Sequence, residues 1–477
     1  MARVPTEDNQ PLTIDGTEVD HDLAANALVK GGVFAPGRRL LTAGLILIVT
    51  LVAFESMSVA TVMPSVEADL GDLALYGWVF SAFFLGTLVG VVVAGTASDR
   101  MRPAIPLGIG LVVFALGLIV GGVAPSMLIL VLGRFLQGLG AGAMPATSYV
   151  CIGRSYPLDQ RPKMFALVSS AWMLPSVIGP VIAASIAETV GWRWVFLGLL
   201  PLTAIFGAVA ILGVKSVQTP TEPSEDRNIM NAVLVALGAA LLLLGLGSRE
   251  VIVFILVSII GAAIMVPPFL RLTPAGLLRA RAGVPATIAV RGLLNFAFYS
   301  ADAFVPFAIT SVRGLSPVYG GLAMTTASLT WTVSSWLQAR LIRTRGSTIL
   351  VIVGMAIIAM GTAGMLAVLV PAIPAWIGLV AWGVAGFGMG LAFSPLAHVA
   401  MELADSGQEG KTTTGLQLSD TLGAALGIGI AGVLVSTVGS ITDSETTGLV
   451  LTFGMATAVA VLGAVIGRRV PRGSELG

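Results

Sequence analysis

Long apolar stretches without an ionised side chain recur along this sequence. Residues 346–401, for example, contain no Asp, Glu, Lys or Arg. A membrane-spanning helix needs about 20 consecutive, mostly apolar residues, and 56% of the 477 residues are hydrophobic while only 11% are charged. The stretches are too long and too uniformly apolar for the alternating strands of a membrane β-barrel. This pattern excludes a soluble enzyme, a nucleic-acid-binding protein and a disordered scaffold, and it predicts an all-α polytopic membrane protein.

The apolar stretches, divided at charged turns and at Gly- and Pro-rich turns, predict fourteen spanning helices. The first six are expected at 40–64, 76–97, 104–123, 126–150, 162–187 and 192–213. A pair follows at 229–247 and 251–270. The last six are expected at 284–310, 316–339, 347–370, 372–401, 412–437 and 446–467.

This six, two, six order predicts two six-helix bundles with an inserted central helix pair, and transporters are often built from two such halves around a midplane site. The expected divisions are a disordered cytoplasmic tail (1–37), an amino-terminal bundle (38–214), a cytoplasmic linker (215–228), the inserted pair (229–270), a second cytoplasmic linker (271–283), a carboxy-terminal bundle (284–467) and a second cytoplasmic tail (468–477).

Basic residues predict the orientation, because cytoplasmic loops are enriched in Lys and Arg. With a cytoplasmic amino terminus, 21 of the 26 basic residues fall inside, whereas Arg193, Arg249 and Arg313 fall outside. Residues 1–37 lack the basic start and short apolar core of a cleaved signal peptide. An even number of spans returns the carboxy terminus to the starting side. We therefore expect an integral protein of a bacterial cytoplasmic membrane with both termini in the cytoplasm.

Residue types that hold metals or phosphates are scarce in this chain. Cys151 is the single cysteine, and His21 and His398 are the two histidines, so we expect no disulfide within the chain and no metal centre. The phosphate-binding pattern G-x-x-x-x-G-K-[ST] is absent. The expectation is therefore no cofactor, no metal and no nucleic-acid partner, with an ion gradient as the energy source.

Ionisable residues within the predicted spans are the candidate proton-coupling residues. Glu55 lies about 15 residues into the first span, about 22 Å from the cytoplasmic edge. Asp302 lies mid-span in the ninth helix, which begins the second bundle and so mirrors the first helix. A carboxylate at such depth is costly unless it faces a cavity or a partner. We expect proton coupling or cation recognition at both; the alternative is a structural hydrogen bond to a neighbouring helix.

Arg134 lies in the fourth span at a depth similar to that of Glu55. An arginine in the bilayer needs a partner, so we expect it to stabilise a nearby carboxylate or to organise the small residues at 138, 140 and 142. The alternative is a polar clamp that never changes state. Asp420, about eight residues into the thirteenth span, joins the candidate set as a weaker member, and His398 near the end of the twelfth span is weaker still.

Short motifs occur in successive spans. The loop after the second span reads GTASDRMR (95–102), the fourth span contains RFLQGLGAG (134–142), and the fifth contains WMLPSVIGP (172–180). The first span ends FESMSVATVMP (54–64), and the sixth opens GWRWVF (191–196). Together these motifs resemble the major facilitator superfamily. With fourteen spans, the chain resembles its fourteen-helix drug:proton antiporter family, the EmrB/QacA-like group.

This resemblance implies roles for the first loop and for the fifth helix. Gly95, Asp99 and Arg100, with Arg340 in the matching loop of the second bundle, are expected to lock the bundles in one access state. Asp99 can also cap the third helix or pair with basic residues of the first bundle. Three further residues are expected to bend the fifth helix and seal its outer end, which favours export over uptake: Pro175, Gly179 and Pro180.

Aromatic residues, one methionine and one amide form the predicted substrate cavity. Met and aromatic side chains adapt to varied apolar ligands, although at helical spacing they are also common packing and lipid-facing residues. The candidates are Trp172, Met173, Phe80, Phe83, Asn295, Phe298, Tyr299 and Trp331.

Together these features predict a secondary transporter, not an enzyme, that exports lipophilic or amphipathic compounds in exchange for protons by alternating access. Multidrug efflux is the expected activity. The expected partners are a small substrate, protons and membrane lipid, with the chain acting as a monomer. Two alternatives remain open: export of a native lipid or secreted metabolite, and proton-coupled uptake of a polar metabolite.

Overall fold

The computed structural model describes residues 32–157, 160–215, 217, 227–404 and 409–471. The predicted tail 1–37 therefore lies outside the described residues up to residue 31, as do most of the predicted linker 215–228 and residues 472–477 of the second predicted tail. Within the described residues, thirteen helices are long and apolar enough to cross a membrane.

The α-helices are numbered α1 to α17 in chain order. Their bounds are α1 Arg39–Leu70, α2 Tyr76–Ser98, α3 Ala104–Gly122, α4 Met127–Ser155, α5 Arg161–Ser170, α6 Met173–Thr189, α7 Arg193–Leu197, α8 Leu199–Val214, α9 Arg227–Leu246, α10 Val251–Leu272, α11 Val284–Asp302, α12 Val305–Phe307, α13 Pro317–Val368, α14 Ile377–Glu402, α15 Glu409–Val433, α16 Gly439–Thr442 and α17 Glu445–Gly467. Turns of other pitch are the 3₁₀ helices Leu73–Leu75 and Leu277–Arg279, and the π-helices Ala308–Val312 and Leu434–Val438.

Helix α13 runs over 52 residues. At 1.5 Å per residue it would be about 78 Å long, more than twice the roughly 30 Å of a bilayer core. Its backbone leaves the helical region at Gly346, where φ is 74° and ψ is 160°. A positive φ suits glycine, which has no Cβ. The break divides α13 into 317–345 and 347–368, close to the predicted boundary between two spans.

Helices α1–α8 pack into one group, here called the amino-terminal group, and α11–α17 into a second, the carboxy-terminal group. In the first, α2 and α3 pack against α4, and α1 packs against α6 and α8. In the second, α11 packs against α15 and α17, and α13 packs against α14. Glycine permits the close helix pairs: a Cβ on Gly138 of α4 would overlap the Phe83 carbonyl oxygen of α2.

The two groups meet at one end of the bundle, which we call the junction end. Tyr76 Oη of α2 donates a hydrogen bond to the Ala303 carbonyl at 3.2 Å. Ser81 Oγ, one turn further along α2, donates to a carbonyl of α15 at 2.8 Å. Thr325 Oγ1 of α13 donates to a carbonyl of α6 at 3.1 Å. These bonds join α2 and α6 of the first group to the turn after α11, to α15 and to α13 of the second.

Basic residues are distributed unequally between the two ends of the bundle. Turns and helix ends opposite the junction, here the far end, carry many of them: Arg100, Arg102, Arg161, Lys163, Arg279, Arg281, Arg468 and Arg469. Arg193, Arg249 and Arg313 belong to turns or helix ends at the junction end. The far end thus carries the basic loops that the sequence assigns to the cytoplasm.

Helices α9 and α10 pack against each other and lie between the two groups in the chain. Helix α9 also packs against α2 and α15, the two helices that meet across the junction. Its small apolar residues Ala232, Val235 and Ala239 are buried there with Leu85 and Leu88 of α2. Helix α10 is largely exposed on its outer side. The pair therefore covers the contact of α2 with α15 along one flank of the molecule.

Candidate functional site

Glu55 and Arg134 form an ion pair inside the amino-terminal group, where α1 passes α4. Both side chains are buried, with exposed fractions of 0% and 2%. Arg134 Nη1 donates to Glu55 Oε1 and also to Gln137 Oε1 at 2.9 Å. Arg134 Nε donates to a carbonyl of α2 at 3.2 Å, and the guanidinium lies 4.2 Å from the centre of the Phe83 ring. One arginine thus joins α1, α2 and α4.

The pair leaves buried polar atoms without a partner in the described residues. Glu55 Oε2 accepts no hydrogen bond, and Ser58 Oγ and Gln137 Nε2 likewise have none. Groups of this kind cost free energy when they are buried. These three atoms therefore offset part of the stability that the ion pair contributes.

A second ion pair, between Arg291 and Asp420, lies in the carboxy-terminal group where α11 meets α15. Arg291 Nη2 donates to Asp420 Oδ2 at 3.0 Å, and Arg291 Nε donates to Asp420 Oδ1. Asn295 Nδ2 donates to the same Oδ1 at 2.7 Å. The Arg291 guanidinium also lies 3.2 Å from the centre of the Phe393 ring of α14. Asp420 is 27% exposed, so this pair is more open than that of Glu55.

Asp302, at the end of α11, has a different kind of partner. Trp382 Nε1 of α14 donates to Asp302 Oδ1 at 3.2 Å. Trp382 in turn stacks on Phe298, with ring centres 4.9 Å apart, and Trp331 contacts Phe298 edge-on at 5.7 Å. Asp302 is 8% exposed. Its carboxyl thus lies behind an aromatic cluster formed by Phe298, Trp331 and Trp382.

The residues predicted to gate access lie at the far end. Asp99 pairs with Arg154 of α4 at 3.2 Å, and Arg154 also donates to the Ser98 carbonyl. Both partners belong to the amino-terminal group, so this ion pair joins α2 to α4 within one group. A Cβ at Gly95 would contact nothing within 4 Å. Arg100 is exposed in the turn after α2. Arg340 is exposed too, but it lies within α13, so the loop expected at this place in the second bundle is helical up to the break at Gly346.

The motif of the fifth predicted span lies on α6, at the contact of the two groups. Pro175, Gly179 and Pro180 are buried. A Cβ on Gly321 of α13 would lie 3.1 Å from the Pro180 carbonyl oxygen, so this stretch of α6 touches the carboxy-terminal group directly. Trp172, just before α6, separates it from α5 of the same predicted span.

The predicted cavity residues occupy three environments. Trp172 and Met173 are exposed, at 41% and 43%. Phe80 and Phe83 are buried in the helix packing of α2. Asn295 belongs to the Arg291–Asp420 pair, whereas three others form a continuous aromatic surface between the groups: Phe298, Tyr299 and Trp331, which Phe84 of α2 reaches at 5.6 Å from Tyr299.

Three residues of this region escaped the sequence-based prediction of the site. Arg291 was recognisable as an intramembrane arginine, but its partner was not. Trp382 resembled any interior aromatic residue, and Tyr76 resembled a residue at the end of a span. A usable signal exists for Trp382: it precedes G-x-G-x-G (386–390) by four residues, as Arg134 precedes G-x-G-x-G (138–142).

Replacing Arg291 by glutamine is expected to destabilise the folded protein by about 1–3 kcal/mol, because Asp420 loses a charge-assisted bidentate partner. The effect is limited, since Asn295 still donates to Asp420 and the carboxylate is partly exposed. The free energy of unfolding in mixed micelles measures it. Asp443→Asn, in an exposed turn at the junction end, serves as the control; equal losses in both variants would contradict this assignment.

The sequence of this chain is similar to that of a known protein family and of named transporters. The family model described as Major Facilitator Superfamily matches residues 45–428. A Mycobacterium tuberculosis protein named "Probable multidrug-efflux transporter" is 28% identical over 454 residues, which cover 89% of this chain and 94% of that protein. Multidrug transporter protein MdtP of Bacillus subtilis is 27% identical over 418 residues, covering 84% of this chain and 75% of that protein.

The fold itself resembles solved transporter structures. The crystal structure of the POT family transporter PepTSo superposes with a TM-score of 0.68 at 15% sequence identity, covering 90% of this chain and 96% of that chain. At this level of identity the likeness concerns the fold alone. It agrees with the helical architecture described above.

Proposed function

This chain belongs to the major facilitator superfamily, and we propose that it is a proton-driven exporter of lipophilic or amphipathic compounds, with multidrug efflux as its activity. It is an integral membrane transport protein and not an enzyme. The observation that carries the proposal is the pair of multidrug-transporter relatives that align over more than four-fifths of the chain. The buried carboxyls of Glu55 and Asp302 and the partly exposed carboxyl of Asp420 supply groups that can exchange protons.

The proposed architecture has fourteen spans, with α13 contributing two of them on either side of Gly346, and two six-helix bundles flanking the inserted pair α9–α10. This is the organisation of the EmrB/QacA-like antiporters that the motifs resemble. We place the far end, with its basic turns, in the cytoplasm of a bacterial cell. Both termini then lie in the cytoplasm, and the structure, with its groups joined at the junction end, faces inward.

Alternating access would proceed as the two groups rock about the aromatic surface between them. Glu55 and Asp302 carry the proton-linked charge changes, with Arg134 and Asp420 setting the electrostatics around them. Asp99 and Arg100, with Gly95 and Arg340, act at the cytoplasmic gate. Pro175, Gly179 and Pro180 shape the outer contact of α6 with α13, and the exposed and aromatic cavity residues contact the substrate.

Export of a native lipid or secreted metabolite would use the same machinery and is the second candidate. The aromatic surface formed by Phe298, Tyr299 and Trp331 supports an amphipathic substrate in either case. Uptake of a polar metabolite is less favoured, because these rings offer mainly apolar contacts.

Transport in proteoliposomes with an imposed pH gradient tests this proposal. Wild-type protein is expected to move ethidium, a lipophilic cation, against proton influx. Glu55→Gln and Asp302→Asn are each expected to reduce gradient-driven ethidium movement at least tenfold, because each removes a carboxyl that can exchange a proton. The readouts are dye accumulation and proton flux, measured in the same vesicles.

Glu250→Gln is the matched control, since Glu250 lies exposed at the junction end and outside the site. It is expected to transport like the wild type. Gradient-driven movement that persists in both site variants would remove these carboxyls from the mechanism. Absence of gradient-driven movement in the wild type would remove drug export and favour a native substrate.

A further inference from the structure

The two helix groups contain a repeated packing unit. In α4, Gly138 and Gly140 let the backbone touch α2 and α3, at the carbonyls of Phe83 and Gly110. In α14, Gly386 and Gly388 meet the carbonyls of Ala327 and Gly354, both in α13, in the same manner. The residue four positions before the first glycine is Arg134 in α4 and Trp382 in α14. These two side chains therefore occupy equivalent places.

Each of these equivalent side chains contacts a carboxyl on the first helix of its group. Arg134 forms an ion pair with Glu55 of α1, whereas Trp382 donates one hydrogen bond to Asp302 of α11. A guanidinium keeps its positive charge in any protein environment, while an indole is neutral and only donates. The first carboxyl is therefore compensated by a fixed charge, and the second is not.

Charged and titratable groups near Asp302 do not supply the missing charge. On its own helix, Arg291 pairs with Asp420 of α15. Glu55 of α1 is held by Arg134, and Tyr76 and Tyr299 are neutral phenols. The remaining titratable groups on the elements around it lie toward helix ends or beside the break at Gly346, and in no described contact with Asp302: Arg39, Glu67, Asp69, Tyr319, Arg340, Arg343, Arg345, His398, Glu402 and Glu445. Within the described residues, Trp382 is the hydrogen-bond donor to this carboxyl.

Asp302 also lies directly beneath the contact that closes the junction end. The next residue, Ala303, accepts the hydrogen bond from Tyr76 of the other group. Phe304 and Phe307 pack on the Tyr76 ring, with ring centres 5.1 Å and 5.3 Å apart. On its other side, Asp302 meets the aromatic cluster of Phe298, Trp331 and Trp382. Closing the junction therefore encloses this carboxyl between two aromatic surfaces.

An ionised carboxylate enclosed in this way has no counter-ion in the part of the chain that the structure describes, and burying an unpaired charge costs several kcal/mol. The neutral acid avoids that cost and still accepts the Trp382 hydrogen bond.

We propose that Asp302 is the carboxyl whose charge decides whether the junction end is closed. Trp382 occupies the place where the other group has an arginine, and it therefore leaves the charge of Asp302 free to change. The protonated acid permits closure; the carboxylate, which water must solvate, favours opening. Glu55 keeps its counter-ion in both states. This inference rests on the proposed proton-driven function and assigns its access-controlling proton to one residue.

Distances across the junction, measured against pH, test this inference. Spin labels are placed at Val190→Cys and Tyr319→Cys, exposed positions on opposite groups at the junction end, in a Cys151→Ala background in lipid nanodiscs. Raising the pH is expected to shift the wild-type distribution from short to long distances. Asp302→Asn, a permanently neutral side chain, is expected to stay short at every pH.

Trp382→Arg gives the carboxy-terminal group the arginine of the other group. The fixed charge should stabilise ionised Asp302 in the closed state, so the distance is expected to stay short at every pH. Trp382→Phe, which adds no charge, is expected to retain the pH response. Should Trp382→Arg fail to fold, Asp302→Asn and Trp382→Phe still decide the matter. A wild-type pH response in Asp302→Asn, or its loss in Trp382→Phe, would overturn the inference.

Failure of the inference and failure of the proposed function are distinguishable. Gradient-driven ethidium export together with an Asp302-independent pH response leaves the exporter intact and removes the role of Asp302. An Asp302-dependent pH response without ethidium export keeps the proton switch and removes the drug-export proposal. Glu250→Gln, which neutralises an exposed carboxyl outside both aromatic surfaces, is expected to respond to pH as the wild type does.

Discussion

Replacing Arg134 by leucine is expected to destabilise the folded protein by about 3–5 kcal/mol, because it leaves the Glu55 carboxylate buried without its counter-ion. Glu55 is fully buried, and its second oxygen already lacks a hydrogen-bond partner among the described residues. The loss also removes the bond that ties α4 to the Val79 carbonyl of α2. The free energy of unfolding in mixed micelles, compared with that of the wild type, measures this effect.

A second substitution separates the lost charge from the lost side chain. In the double variant Glu55→Gln/Arg134→Leu no unpaired charge remains, and replacing a buried ion pair by uncharged groups is often nearly neutral. We expect the double variant to recover most of the stability. If it also regains gradient-driven transport, the pair is a structural clamp; if stability returns without transport, the pair takes part in coupling. A double variant as unstable as Arg134→Leu would contradict the charge argument.

Helix positions could be predicted from the sequence because apolar length and Gly or Pro turns are local properties. Helix α3 was expected at 104–123 and runs Ala104–Gly122. The expected boundary between the spans 347–370 and 372–401 falls between α13, which ends at Val368, and α14, which begins at Ile377. The basic residues close to Gly346 indicated a boundary between two spans, and the break in α13 lies there. Membership of the major facilitator superfamily, predicted from motifs, is confirmed.

Contacts between helices were less accessible, because helices that are apolar all round do not reveal which face points inward. Depth could be counted along the chain, so Glu55 and Arg134 were expected at one level. The direction in which each side chain points could not be predicted in this way. Phe83 was therefore expected in the cavity, although its ring packs against the Arg134 guanidinium. The pairing of Asp420 with Arg291 depends on how α15 lies against α11, which no local pattern encodes.

Replacing Gly138 by alanine is expected to destabilise the protein by about 3 kcal/mol or more, because the new Cβ would overlap the Phe83 carbonyl oxygen. A backbone atom cannot turn aside as a flexible side chain can, so α2 and α4 must separate. That separation would also disturb the Arg134 bond to α2, only one turn away. The yield of monodisperse protein in detergent and its free energy of unfolding both report the effect.

Gly153→Ala is the matched control in the same helix, since a Cβ there meets nothing within 4 Å. Alanine favours the helix over glycine by up to about 1 kcal/mol, so this variant is expected to be at least as stable as the wild type. Gly386→Ala, at the equivalent place in α14, is expected to match Gly138→Ala because its Cβ would overlap the Ala327 carbonyl oxygen. If alanine lowers the stability at 138 but raises it at 153, the contact between helices, and not helix propensity, is the reason that position 138 requires glycine. Equal signs would mean that α2 and α4 lie further apart than this packing requires, and the Arg134 hydrogen bond to the Val79 carbonyl of α2 would then need a different geometry.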